Sequence, residues 1–146
     1  MPAIAAFTIN DGASTPVATT FSPVQRDQKT GVVWYEQTTP APTNKLSAYR
    51  IGLKTVRKNS LGRTLDDKST VTVSVWVPTL ETLGTNDAGV TPPPTVAYVE
   101  EARCVFSLAE RASVQERKHV RMFLANFLGH ANAVAFIDNL EGLYGA

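Results

Sequence analysis

The sequence predicts an α+β fold: an antiparallel sheet followed by two helices. Two observations predict it. Over residues 1–108 apolar residues alternate with polar ones in short runs broken by turn signals, the period of strands. At Ser113 the period changes to that of a helix, and Glu116, three residues on, completes a capping box in which each residue satisfies an amide of the other. Strands first and helices last argue for helices on one face of a sheet. The sheet then has a second face, and what that face does is the question of function.

The elements follow in order. Ala3 to Ile9 is apolar and strand-like, and Asn10-Asp11-Gly12 is a turn signal. Pro16 to Phe21 makes a second strand, so the chain opens with a hairpin. Gly31 to Glu36 is a third strand, and Thr38 to Asn44, with Pro40 and Pro42, is a loop. Lys45 to Arg57 reads as one long strand, with Tyr49, Ile51 and Leu53 on one face and Arg50, Gly52 and Lys54 on the other. Asn59 to Asp67 is a polar turn. From Lys68 to Pro78, Val71, Val73, Val75 and Val77 alternate with Thr70, Thr72, Ser74 and Trp76, and Pro78 ends the strand. Thr79 to Thr95 carries two glycines and Pro92-Pro93-Pro94, and a loop of that length is usually functional. Val96 to Leu108 is a last strand whose faces do not sort cleanly; a bulge would reconcile them.

The first helix spans Val114 to Leu128, with Gly129 as its stop and Val120, Phe123, Leu124, Phe127 and Leu128 as a buried stripe. A second runs from Ala133 to Leu140 and is apolar on most sides. A short helix of that kind needs more cover than a two-layer monomer supplies. The expectation is an intimate dimer, with helices from one chain over the sheet of the other. Residues 1–146 read as one domain, hairpin and sheet over 1–108 and dimerisation helices over 109–146.

Composition narrows the function classes. The net charge is only +1, but between Gln37 and Leu65 there is no acid, while Lys45, Arg50, Lys54, Arg57, Lys58 and Arg63 fall there. That stretch is either a solvated strand-and-turn surface or a phosphate-facing patch. One cysteine, Cys104, excludes an internal disulfide and fits a reducing compartment as a small core residue. No run approaches the ~20 apolar residues of a membrane span, and the N-terminus has neither the basic lead nor the apolar run of a signal peptide. The expected setting is a cytoplasm.

An enzyme fares badly. His119 and His130 lack partners at metal-ligand spacing and read as surface or capping residues, so neither a metal nor another cofactor is expected. Cys104 has no motif of a nucleophile. Glu100 and Glu101, adjacent in a strand, point to opposite faces and cannot flank one substrate. No phosphate loop or nucleophile elbow occurs. What remains is a binding surface. Arg50, Lys54, Thr70, Thr72 and Ser74 share one sheet face and offer the cations and hydroxyls that contact phosphate and sugar. Tyr98 and Trp76 are candidates to stack on unpaired bases; the alternative is packing against the hairpin or a neighbouring subunit.

These residues resemble the coat proteins of single-stranded RNA bacteriophages, the leviviruses. The similarity covers nearly the whole chain. It is strongest where Ser113-x-x-Glu116-Arg117-x-x-Val120-Arg121-x-x-Leu124-Ala125-x-x-Leu128 is similar to the first helix of Q-beta-like coats, and where Ala135-Phe-Ile137-Asp138-Asn-Leu140 and Leu143-Tyr144 follow. Gly31-Val-x-Trp34, Tyr49-Arg50-Ile51 and Val77-Pro78-Thr79 fall at corresponding strand segments. The resemblance implies an N-terminal hairpin, a five-stranded antiparallel sheet and two C-terminal helices. It further implies an interlocked homodimer with a continuous ten-stranded sheet, and dimers that assemble a quasi-equivalent icosahedral shell around genomic RNA in the bacterial cytoplasm. The loop at Thr79 to Thr95 would change conformation at the symmetry axes. The inner sheet face would bind an RNA hairpin and repress translation.

By position, the resemblance puts Arg50 and Lys54 on the RNA face of one strand and Lys68, Thr70, Thr72 and Ser74 on the next. Ala97-Tyr98-Val99-Glu100 resembles the family's stacking stretch, giving Tyr98 and Glu100; counting from the helix cap gives Glu101 and Arg103 instead. Ser74 stands where the family usually has Lys. The rival class is a dimeric RNA-binding regulator that never forms particles; the expected partners in either case exclude membranes and small-molecule substrates.

Overall fold

The computed structural model describes residues 4–57, 64, 67–84 and 89–142. Most of the turn expected at 59–67, and the pair Leu143-Tyr144, lie outside them. Two compact units are present, Met1–Lys58 with Ser69–Ser107 and Asn59–Lys68 with Leu108–Ala146.

The first unit is built on a sheet whose six strands lie in sequence order: β1 (Phe7–Asn10), β2 (Ala18–Arg26), β3 (Val33–Thr39), β4 (Arg50–Val56), β5 (Lys68–Leu80) and β6 (Val96–Ala109). Each of the pairs from β1 to β5 is antiparallel. The Asp11 carboxylate closes the first hairpin by accepting from the amides of Ala13 and Val17 at 3.2 and 2.9 Å. β2 runs five residues beyond the expected Phe21, because it pairs with β3 as well as β1, and its register shifts between Pro23 and Gln25, beside the residue that has no N–H to give. Hairpin and sheet are therefore continuous. In the next turn Gly31 adopts φ +72 and donates to the Asp27 carbonyl.

Other strand bounds differ from expectation too: β1 starts at Phe7 rather than Ala3, and β3 runs from Val33 to Thr39 rather than from Gly31 to Glu36, taking in the start of the expected loop. Lys45–Ser47 is a 3₁₀ turn rather than the start of a strand, because the Asn44 side chain accepts from the Leu46 amide at 2.9 Å and caps it; β4 begins only at Arg50. Pro78 does not end β5, which continues to Leu80. Arg50, the first residue of β4, lies opposite Trp76, so Pro78 extends past the end of its neighbour and its missing N–H forfeits no bond there. The long loop after β5 is tied at its base. The Glu81 amide donates to the Thr95 carbonyl at 2.9 Å, and Thr95 Oγ1 to the Glu81 carboxylate at 2.7 Å.

Cross-strand partners share a face. Tyr35, Ile51 and Val75 are in register across β3, β4 and β5, as are Val33, Leu53 and Val73. On this apolar face Phe21, Tyr35 and Ile51 are buried, with Phe7, Val33, Tyr49, Leu53 and Val75 packed around them. Phe7 stacks on Phe21 with centroids 5.7 Å apart.

The second unit holds α1 (Val114–Leu128) and α2 (Ala131–Ile137). The capping box is present: Ser113 Oγ accepts from the Glu116 amide at 3.2 Å, and Glu116 accepts from the Ser113 amide at 2.6 Å. Gly129 follows α1 at φ −89, so the helix stops without a left-handed residue. α2 starts two residues earlier than expected because His130 Nδ1 accepts from the Asn132 amide at 3.2 Å and caps it. It stops at Ile137, and Leu140 beyond it takes φ +54. The stripe expected to be buried along α1 is not: Phe123 is 70% exposed, and Val120, Phe127 and Leu128 are at least half exposed. Within this one chain only Ala133 of the two helices is buried.

Candidate nucleic-acid interface

The opposite face of the sheet is polar, and the register assembles it. Trp34, Gly52 and Ser74 are in line across β3, β4 and β5, and Glu36, Arg50 and Trp76 form the adjacent line. Lys54 lies opposite Thr72 and Val56 opposite Thr70. The period-2 reading of β4 and β5 therefore holds: Arg50, Lys54, Thr70, Thr72 and Ser74 share this face.

Lys54, Thr72, Ser74 and Arg103 line one depression of about 340 Å³, with Trp34 and Trp76 as its wall and Asp27 and Thr30 at its rim. Arg50 lies across the same wall, in a second depression of about 300 Å³ with Val24, Gln25 and Glu36. Arg103 joins the site from β6, and its guanidinium reaches the Glu101 carboxylate two residues away at 3.3 Å. Alternation along an unbroken strand turns Tyr98 and Glu100 to the other side from Arg103. The geometry thus brings the cap-counted register, Glu101 and Arg103, to the polar face. Tyr98 and Glu100 are exposed on β6 and do not line the depression; Lys68 is exposed at the first residue of β5.

Charge on this face is more balanced than the acid-free stretch implies. Glu36, on the preceding strand, accepts from Arg50 at 3.1 Å and lies 3.6 Å from Lys45. Two of the cations counted in the sequence are thus compensated by one largely covered carboxylate, although exposed pairs of this kind contribute little to stability. Asp27 sits near Lys54. Its carboxyl is held below the usual carboxylate range chiefly by the Thr30 hydroxyl, then by the amides of Lys29 and Thr30 and by the Lys54 charge, against a smaller opposing effect of burial. Lys54 has no short ion pair among the described residues, unlike Arg50 and Arg103.

Sequence reasoning missed Trp34, Glu36 and Asp27. Trp34 and Glu36 share parity in the third strand, a signal that was available, but matching them to Gly52 and Arg50 needs the length of the 3₁₀ connection. Trp34 lies flat because residue 52 is glycine: a Cβ there would sit 2.7 Å from the Trp34 ring. The Trp34 and Trp76 rings meet at 4.7 Å and 46°. His119 takes a surface role, pairing with Gln115 and stacking on Phe123.

Comparison with known proteins places this architecture. The levivirus coat protein family matches residues 2–144. The virus-like particle of bacteriophage ESE058 is 33% identical, with a TM-score of 0.86 over 98% of this chain and 100% of that one. The virus-like particle of Beihai levi-like virus 21, at 22% identity and a TM-score of 0.78, covers 99% of this chain and 100% of its own. The bacteriophage GA capsid protein, at 21% and 0.69, covers 97% and 98%. These last two share the fold. No curated protein matches the chain. With strands, helices and nearly every residue accounted for by one family of structural proteins, the chain belongs to the levivirus coat proteins.

Proposed function

We propose that this coat protein forms dimers that close into a shell around single-stranded genomic RNA, with the polar sheet face turned inward. The observation that carries the reading is the apolar stripe of α1. Phe123 is 70% exposed and Val120, Phe127 and Leu128 about half exposed in the single chain, and covering what remains of each gains a share of the roughly 1.5–3 kcal/mol of a full burial. Two further features support a partner of the same kind. The apolar face carries an open depression of about 630 Å³ lined by Ile4, Phe7, Val33, Tyr35 and Leu53, among others, which suits helices from a second copy. β6 is a fourteen-residue edge strand with Val99 and Val105 exposed, a template for edge-to-edge pairing into one continuous sheet.

On the inner face, Lys54 and Arg103 would contact phosphate, with Thr72 and Ser74 beside them, and the same face would hold the RNA hairpin that represses translation. Arg50, Lys68, Thr70, Tyr98 and Glu100 complete the set at its margins. The loop between β5 and β6 would supply contacts at the symmetry axes. Assembly would take place in the cytoplasm of the bacterial host, yielding the virion. Electron microscopy of the recombinant chain, with its 260/280 nm absorbance ratio, tests this: closed uniform particles carrying nucleic acid are expected. A clean dimer free of nucleic acid at low salt and high concentration would remove the shell and leave an RNA-binding regulator as the reading to pursue.

A further inference from the structure

We propose that the Trp34–Trp76 pair is a stacking seat for an unpaired base of single-stranded RNA, an inference that rests on the reading of the polar face as the one that meets RNA. Both tryptophans of the chain are in this pair. The apolar core of the sheet is on the other face and does not include them. They come from β3 and β5 and meet across β4, which they can do only because Gly52 lies between: a Cβ at that position would stand 2.7–3.1 Å from three atoms of the Trp34 ring. The outcome is a half-buried aromatic ridge on a surface otherwise made of cations, hydroxyls and carboxylates.

Both indoles line two depressions, of about 300 and 340 Å³, and each is also lined by a cation: Arg50, paired with Glu36, in one, and Lys54 and Arg103 in the other. A base laid against either flank of the indoles keeps its own phosphate within reach of a guanidinium or an ammonium. That is the combination of aromatic platform and charged groove by which single strands are held. The Trp76 indole Nε1 is buried with no acceptor among the described residues, so a base meets this residue through its ring face and not through its N–H. The neighbouring Thr72 and Ser74 hydroxyls can donate or accept, so the seat tolerates more than one base.

Because no other tryptophan exists in the chain, intrinsic emission reports on this ridge alone. The test uses the full chain, kept unassembled as verified by light scattering. It is titrated with an end-labelled oligoadenylate and, separately, with an abasic oligonucleotide of equal length and charge. Binding is read by anisotropy and stacking by tryptophan emission. Oligoadenylate should bind more tightly than the abasic strand and quench the emission, and the abasic strand should bind without quenching. Gly52→Ala, which pushes Trp34 off the strand, and Trp76→Leu should each weaken oligoadenylate binding roughly 5- to 150-fold, the loss of one base–aromatic stack, and leave abasic binding unchanged. Equal binding of the two strands with unaltered emission would overturn the stacking seat while the RNA-facing reading stands. Failure of both strands to bind at low salt would overturn that reading and the seat with it. The two-strand comparison on the unmutated chain decides the matter even if a variant fails to fold.

Discussion

The sheet and the helices solve the problem of apolar surface in opposite ways. In the sheet unit Phe21, Tyr35 and Ile51 bury one another, with Phe7 stacked over them. In the helical unit Val120, Phe123, Phe127 and Leu128 of α1 stay half or more exposed; Ala133, on α2, is the one buried helical residue. In the dimer proposed above the helices supply half of a core, and stability divides between what the chain folds alone and what it acquires with another copy, so the two parts respond differently to mutation.

The strongest way to break this contrast is in the sheet. Phe21→Ala should cost about 3–5 kcal/mol of unfolding free energy, as a buried aromatic deletion does, and the loss should be independent of protein concentration when followed by chemical denaturation of the dilute chain. A concentration-dependent loss would mean that the sheet, too, is completed by a partner. Next in size is Phe123→Asp. The side chain is already in water, so the dilute chain should barely notice. The pairing of two copies should weaken by about 2–3 kcal/mol per chain from lost burial alone, seen by sedimentation or light scattering as a shift to the monomer. A variant that still pairs at the original affinity would remove α1 from the interface.

The helix period made α1 legible to the residue. The capping box marked its first turn, the stripe its length, and the structure returns Val114–Leu128. The strands were legible in existence and face, because a period of two needs no knowledge of neighbours. Their ends were not, because they depend on side-chain capping at Asn44 and on which partner a strand has at Pro78, neither of which is a local pattern. The same divide runs through the site. That Arg50, Lys54, Thr72 and Ser74 share a face follows from alternation within two strands. That Glu36 compensates Arg50, or that Trp34 crosses to Trp76, follows from register between strands, which is set by connection lengths.

Smaller effects sharpen the helical half of the comparison. Ser113→Ala removes one arm of the capping box and should cost about 1 kcal/mol, visible as faster amide exchange in the first turn of α1 with the sheet amides unchanged. If the sheet amides exchange faster as well, the two units unfold as one. The least effect comes from pH. The Glu116 carboxyl is held below its ordinary value of 4.5, first by the Ser113 amide and then by the Ser113 hydroxyl. A carboxylate with a lowered pKa stabilises fully above the ordinary value, and its contribution is lost as pH falls through the lowered one. Acidification from pH 5 downward should therefore loosen the start of α1, and Glu116→Gln should flatten that dependence. A pH response of equal size in Glu116→Gln would assign it to another group.

The glycine under the Trp34 ring also constrains how this sequence can drift. Any side chain at position 52 would collide with an aromatic ring 2.7 Å away, so the two positions are not free to change in either order. A lineage can shrink residue 34 first and fill residue 52 afterwards, passing only through the loss of the Trp34–Trp76 ring contact. The reverse order passes through a clash that ejects the indole. Among descendants of this coat, a non-glycine at 52 should be found only where 34 is already small.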